Sequence, residues 1–208
     1  MRRTSAALVV GYVILAAAAS PAYAKGAGDD TIGSTPAKAA TVKNLPAPKD
    51  PTKETVLIGR TITDGLTRQL ALEGAEAMWM PMGKPARWSE HKPAQNERDC
   101  ITVKATDNAT KTRIPSAVAT FTATNQDNGK TVKVVLPPMW GSGGLHYSEN
   151  STLAGHGIYG ATVTVGVPSF AREIKDKDHW SNPSSGRFHF KMKDGALIEV
   201  SEPAPALN

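Results

Sequence analysis

The chain has 208 residues, a net charge of +5, six methionines, five histidines and a single cysteine. Its charge is weak and dispersed, with basic residues set beside acids as in Glu173-Ile174-Lys175-Asp176-Lys177-Asp178, which excludes the concentrated basic stripe of a nucleic-acid binder. One cysteine excludes an internal disulfide, and five histidines with one cysteine are too few for multicopper redox chemistry.

The first 24 residues read as a cleaved export signal. Arg2 and Arg3 give a basic start, Ala6 to Ala19 an apolar run, and Ala22-Tyr23-Ala24 a small-x-small cleavage site. The run is too short and Ala-rich for a membrane span, and no Cys follows it to carry a lipid. Cleavage after Ala24 lowers the basic residues from 24 to 22 against 19 acidic, a net +3, and implies a periplasmic location. Residues 25–53 are rich in Ala, Pro, Gly, Lys, Thr and Asp, and are expected to form a flexible arm. The folded domain is expected over 54–201, with a flexible tail over 202–208.

Within the domain the signal is for strands. Thr55 to Ile62 is the first, and Gln69 to Met82 a longer one interrupted at Gly74; Leu66 to Leu72 could instead make a helical turn. Cys100 to Thr106 and Ala117 to Thr124 alternate, and Asn128-Gly129 turns the chain into Lys130 to Leu136. Pro137-Pro138 ends that strand. Gly157 to Val167 alternates with Val163, Val165 and Val167 inward, and Phe188 to Met192 forms a hairpin with Ala196 to Val200 about Asp194-Gly195. Seven or eight strands with Gly/Pro turns predict an all-β fold, a two-sheet antiparallel sandwich.

The stretch from Pro138 to Asn150 carries the strongest chemical signal. Met139 and His146 are both metal-ligand types, seven residues apart, and three intervening glycines let the backbone turn and clear the approach. Met78, Met80 and Met82 occupy alternate positions, so an extended segment sends all three one way and Trp79 the other, either as a soft-metal face or as deformable packing. Pro81 points to an edge strand. His91 sits in a polar, turn-like segment; Glu173 and His179 lie in a mixed-charge loop that could fold over a site. Glu73 and Glu76, three apart, are expected on opposite faces of any strand, so only one could point at the site, with solvated acids the default for both. Cys100 reads first as a buried strand residue, with a metal-binding thiolate or an intermolecular disulfide as alternatives. Tyr147 and Asn150 read as structural, His156 as an exposed turn residue and His189 as solvent-facing.

Met139, the Gly-rich turn, His146-Tyr147, Asn150 and Gly157-Ile158-Tyr159 before an alternating strand resemble the periplasmic metal-binding proteins of bacterial ferrous-iron uptake systems, a family that includes a spirochaete membrane antigen. The resemblance spans roughly Glu73 to Lys193. It implies an immunoglobulin-like β-sandwich that forms a homodimer, binds copper (Cu(I) or Cu(II)) with iron, manganese or zinc as other occupants, and works beside an inner-membrane iron or copper permease. It also implies that Met139 and His146 are metal ligands, joined by a His and an acid two apart on an earlier strand and by a histidine in a later loop. For the earlier pair the chain offers His91, Glu97 or Asp99; near the later position it offers Glu173 and His179. Tyr147-Ser148 replaces the family Tyr-Gly, and Leu136-Pro137-Pro138-Met139 replaces a fuller Met-Pro-Met.

The candidate metal ligands are therefore Met139, His146, His91, Met78, Met80, Met82, Glu173 and His179. The sequence holds no Gly-x-Ser-x-Gly elbow, His-Glu-x-x-His helix or phosphate loop, so a catalytic substrate is not expected. A non-metal structural or interaction module of the cell envelope is the alternative reading.

Overall fold

The computed structural model describes residues 41–202; the expected export signal, and most of the expected tail, lie outside them. The described residues form thirteen strands: β1 (Val42–Lys49), β2 (Val56–Thr63), β3 (Leu66–Gly74), β4 (Met78–Met82), β5 (Arg87–His91), β6 (Asp99–Asp107), β7 (Ala119–Asn125), β8 (Thr131–Leu136), β9 (Pro138–Gly141), β10 (Gly144–Ser151), β11 (Gly157–Val165), β12 (Ser184–Lys193) and β13 (Ala196–Ser201). A 3-10 turn at Ile174–Asp176 accompanies them.

Two antiparallel sheets pack as a sandwich, as expected. One has the order β1-β13-β12-β11-β7-β8, the other β2-β3-β6-β10-β9, and β4-β5 forms a separate ribbon. Alternation explains the packing: Leu66, Arg68, Leu70 and Leu72 of β3 and Ala119, Phe121 and Ala123 of β7 are buried, with partly exposed residues between them. The facing side chains form one core, in which the Tyr159 and Phe190 rings stack at 4.9 Å. Arg68 lies fully inside it; its Nη1–H donates to Thr63 Oγ1 at 2.7 Å, and Ser184 and Asp64 extend the network. Desolvation pulls this guanidinium down to about 10, partly offset by Asp64.

Several expectations are corrected. Residues 66–72 form a strand and not a helical turn, because Leu66, Leu70 and Leu72 alternate into the core. The strand count exceeds seven or eight, since β1, β5, β9 and β10 are short, polar or Gly- and Pro-rich. The sandwich also takes up part of the segment expected to be flexible: β1 pairs with β13 from Val42↔Ser201 onward. Its prolines, Pro46 and Pro48, are tolerated because β1 is a sheet edge with a register irregularity between Asn44 and Lys49. Val167 lies beyond the end of β11 and is exposed, unlike Val163 and Val165.

Candidate metal centre

The site grows from the β9–β10 hairpin. Pro137 breaks β8, and the chain passes from the six-stranded to the five-stranded sheet. It turns back through Ser142-Gly143, with Gly144 at φ +79°. Met139 and His146 are direct cross-strand partners, so their side chains share a face about 5 Å apart at Cβ. Tyr147, next along β10, points the other way into the core, where its hydroxyl donates to the Ile114 carbonyl at 2.6 Å and accepts from the Ala117 N–H at 3.2 Å. His146 and Met139 therefore belong to the outer face of the five-stranded sheet.

The imidazole is already oriented. His146 Nδ1–H donates to the Gly144 carbonyl at 2.9 Å, which leaves the Nε2 lone pair available to accept. Gly141 makes room for the ring: a Cβ there would sit 3.1 Å from His146 Cε1. His146 lines an outer-face cleft of about 540 Å³ together with Glu73, Glu76, Thr102 and Lys104.

Two of these residues, Glu73 and Glu76, are the acids expected on opposite faces of a strand. Gly74 ends β3, so Glu76 leaves the strand and the opposite-face rule no longer applies to it. Glu73, Glu76 and Cys100 converge, their ligand atoms all within 4.8 Å of one another. Cys100 pairs with Glu73 across β3–β6 and with Asn150 across β6–β10. Beneath the cleft, Thr102 Oγ1–H donates to Glu73 Oε1 at 2.6 Å, and the Ser148 hydroxyl lies 3.0 Å from Thr102 Oγ1 and 2.9 Å from Cys100 Sγ. Burial pushes the Cys100 thiol up to about 11, with the Glu73 and Glu76 charges acting the same way against the Ser148 hydrogen bond. The only sequence signal for this convergence was that Glu73 shares a β3 face with Ala71, two residues before it.

The other candidates lie elsewhere. Met78 and His91 are partners on the β4–β5 ribbon; Met78 is buried, and Met80 and Met82 follow it on the same face. His91 is thus a strand residue rather than part of a turn. Glu173 is exposed and pairs with Lys175 at 3.0 Å. His179 lines a second cleft with Asp64 and Trp180, its Nε2 3.6 Å from Asp107. Glu97 accepts from the Ala94 N–H at 2.7 Å, and Asp99 is buried with its carboxyl pushed up by desolvation, and neither acid lines the cleft that holds His146. In place of the implied earlier-strand pair, two apart beside His146, the outer face of β3 carries Ala71 and Glu73.

A β-sandwich with an imidazole, a thioether and carboxylates gathered on one sheet face has the donor set of a metal-binding protein. The family model described as Fe2+ transport protein matches residues 97–193 of this chain. Solved structures share the fold. FetP of uropathogenic Escherichia coli strain F11 is 19% identical with a TM-score of 0.55, the match covering 67% of this chain and 96% of that one. A copper-bound variant of Campylobacter jejuni P19 is 18% identical with a TM-score of 0.56, covering 67% and 98%. A copper-bound FetP variant is 19% identical with a TM-score of 0.51, covering 66% and 97%. No curated protein matches the chain closely enough to count as a relative.

Proposed function

We propose that this is an exported, periplasmic protein that binds copper or ferrous iron and assists the uptake or homeostasis of these metals beside an inner-membrane permease. The observation that carries the reading is the Met139–His146 pair, which shares a sheet face beside the cleft that holds Glu73. A thioether has no proton to lose and favours Cu(I), whereas imidazole and carboxylate admit Cu(II) and Fe(II). The copper-bound FetP and P19 variants and the Fe2+ transport family description support it. The physiological form is proposed to be a homodimer.

Metal analysis after equilibrium dialysis tests the reading. The expected result is about one tightly held copper per protomer, lost when Met139 and His146 are both replaced by alanine. Retention of no copper, iron, manganese or zinc above background would favour the second reading, a non-metal interaction module. Trp79 and Trp88, 64% and 65% exposed on the ribbon, are the feature that favours that alternative.

A further inference from the structure

The cleft that holds His146 has a second end with a different chemistry. Lys104 shares the outer face of β6 with Thr102 and stands across from Gln69 in the β3–β6 register, four residues along β3 from Glu73. That separation is about 13 Å of strand, so the acids and the lysine belong to opposite ends of the cleft. Among the described residues the half-buried Lys104 ammonium makes no ion pair and no hydrogen bond, although two glutamates line the same cleft. The Gln69 amide and the Ser142 hydroxyl, which also line it, are likewise without a partner among those residues. The hairpin turn makes room for both cleft ends. A Cβ at Gly141 would sit 3.1 Å from His146 Cε1, and a Cβ at Gly143 would sit 3.1 Å from Lys104 Nζ. One Gly-Ser-Gly turn therefore clears space for the imidazole and, two residues on, for the ammonium.

An ammonium near a metal site repels a bare cation and weakens its binding unless an anion lies between the two. The cleft is also larger than an ion needs. Its volume of about 540 Å³ is in the range of small-molecule sites, and Leu57 and Ala71 give it an apolar wall. We propose that the cargo is a metal–carboxylate complex: His146 ligates the metal, and Lys104, with Gln69 and Ser142, binds a free carboxylate of a small di- or tricarboxylate coordinated to it. The proposal rests on the cleft being a metal site and adds the chemical class of a co-ligand. Such a molecule suits both ends. Its oxygens are donors for Cu(II) or Fe(II), and a carboxylate left over accepts a charge-assisted hydrogen bond from the ammonium.

The test is equilibrium dialysis of the full chain against radiolabelled citrate, with and without Cu(II), counting citrate and copper separately. The wild type is expected to retain about one citrate per protomer with Cu(II) and none above background without it, since each ligand then strengthens the other. Lys104→Gln is expected to keep its copper in citrate-free buffer and to lose citrate affinity by at least about tenfold. Lys104→Arg, which keeps the charge, should retain citrate, as should Lys133→Gln, a change at an exposed lysine of β8. If citrate strips the copper, or copper stays bound with no citrate beside it, the role of Lys104 falls and the proposed function stands. Equal citrate retention in Lys104→Gln, or equal retention without Cu(II), overturns the proposal in the same way. A wild type that binds no copper, with or without citrate, overturns both.

Discussion

Asn150 and Glu76 exchange two hydrogen bonds across 74 residues of sequence. The Asn150 side-chain N–H donates to the Glu76 carbonyl at 2.8 Å, and the Glu76 backbone N–H donates to Asn150 Oδ1 at 3.1 Å. Glu76 has left β3, so this exchange is what fixes the backbone that carries its carboxylate. Replacing Asn150 by alanine strands both backbone groups. We expect a loss of about 1–3 kcal/mol in urea denaturation and a fall in copper affinity of roughly tenfold, while a surface substitution at Asn128 leaves affinity unchanged.

His146→Ala removes the oriented imidazole and leaves the turn that holds it, because Gly144 and the β9–β10 pairing set the backbone. Copper affinity by isothermal titration should fall by at least about tenfold, with the circular dichroism spectrum unchanged. Wild-type affinity in this variant would remove His146 from the site.

Tyr147 gives the opposite pattern from its neighbour. Its ring belongs to the core, and its hydroxyl bridges the Ile114 carbonyl and the Ala117 N–H. Tyr147→Phe leaves both buried backbone groups unpaired and should cost about 1–3 kcal/mol of stability with no change in copper binding. Adjacent β10 residues would thereby separate fold from function in one pair of measurements.

Acid stability should depend on Asp107. Burial works to raise its pKa, but the hydroxyl and N–H of Thr110, the Ala109 N–H and nearby His179 outweigh it and hold the carboxyl below its usual range. A depressed carboxylate contributes stability that is fully present above its unfolded pKa and is lost as pH falls through its folded pKa. Asp107→Asn should therefore be less stable than wild type near neutrality, with the gap closing below about pH 4. Urea midpoints across that range check it; a gap that does not change with pH would rule out the ionised carboxylate as its source.

The expected dimer has a definite surface to test. Trp79, Pro81 and Trp88 lie on one face of the β4–β5 ribbon, opposite the methionines, and both tryptophans are exposed. The alternative in which Trp79 packs inside its own sandwich is excluded by that exposure. Burying one tryptophan contributes on the order of a few kcal/mol, so replacing Trp79 and Trp88 by serine should convert a light-scattering dimer to a monomer. A wild-type monomer at micromolar concentration, with and without copper, would remove this interface.

Local pattern carried the sequence reading as far as local pattern can. Strand alternation marks which face of β7, β11 and β12 is buried, because side-chain direction has period two whatever the partner strand. The Met139–His146 pair was legible for a related reason: both residues sit in one hairpin, and a tight Gly-rich turn makes positions on its two arms neighbours. β1 with Pro46 and Pro48 and β5 with Arg87 to His91 lack such a pattern and exist because β13 and β4 supply hydrogen-bond partners.

The sequence by itself determined the two-sheet sandwich and the thioether–imidazole pair, since alternation and turn chemistry act within a few residues. Only the tertiary structure decided that Glu73 and Glu76 line one cleft with His146, and that Cys100 and Asn150 lie next to these two acids. That meeting depends on β6 lying between β3 and β10 in one particular register. A shift of one residue would turn the Cys100 side chain to the core and face Ile101 outward, and the choice is made by the buried face of the whole sheet.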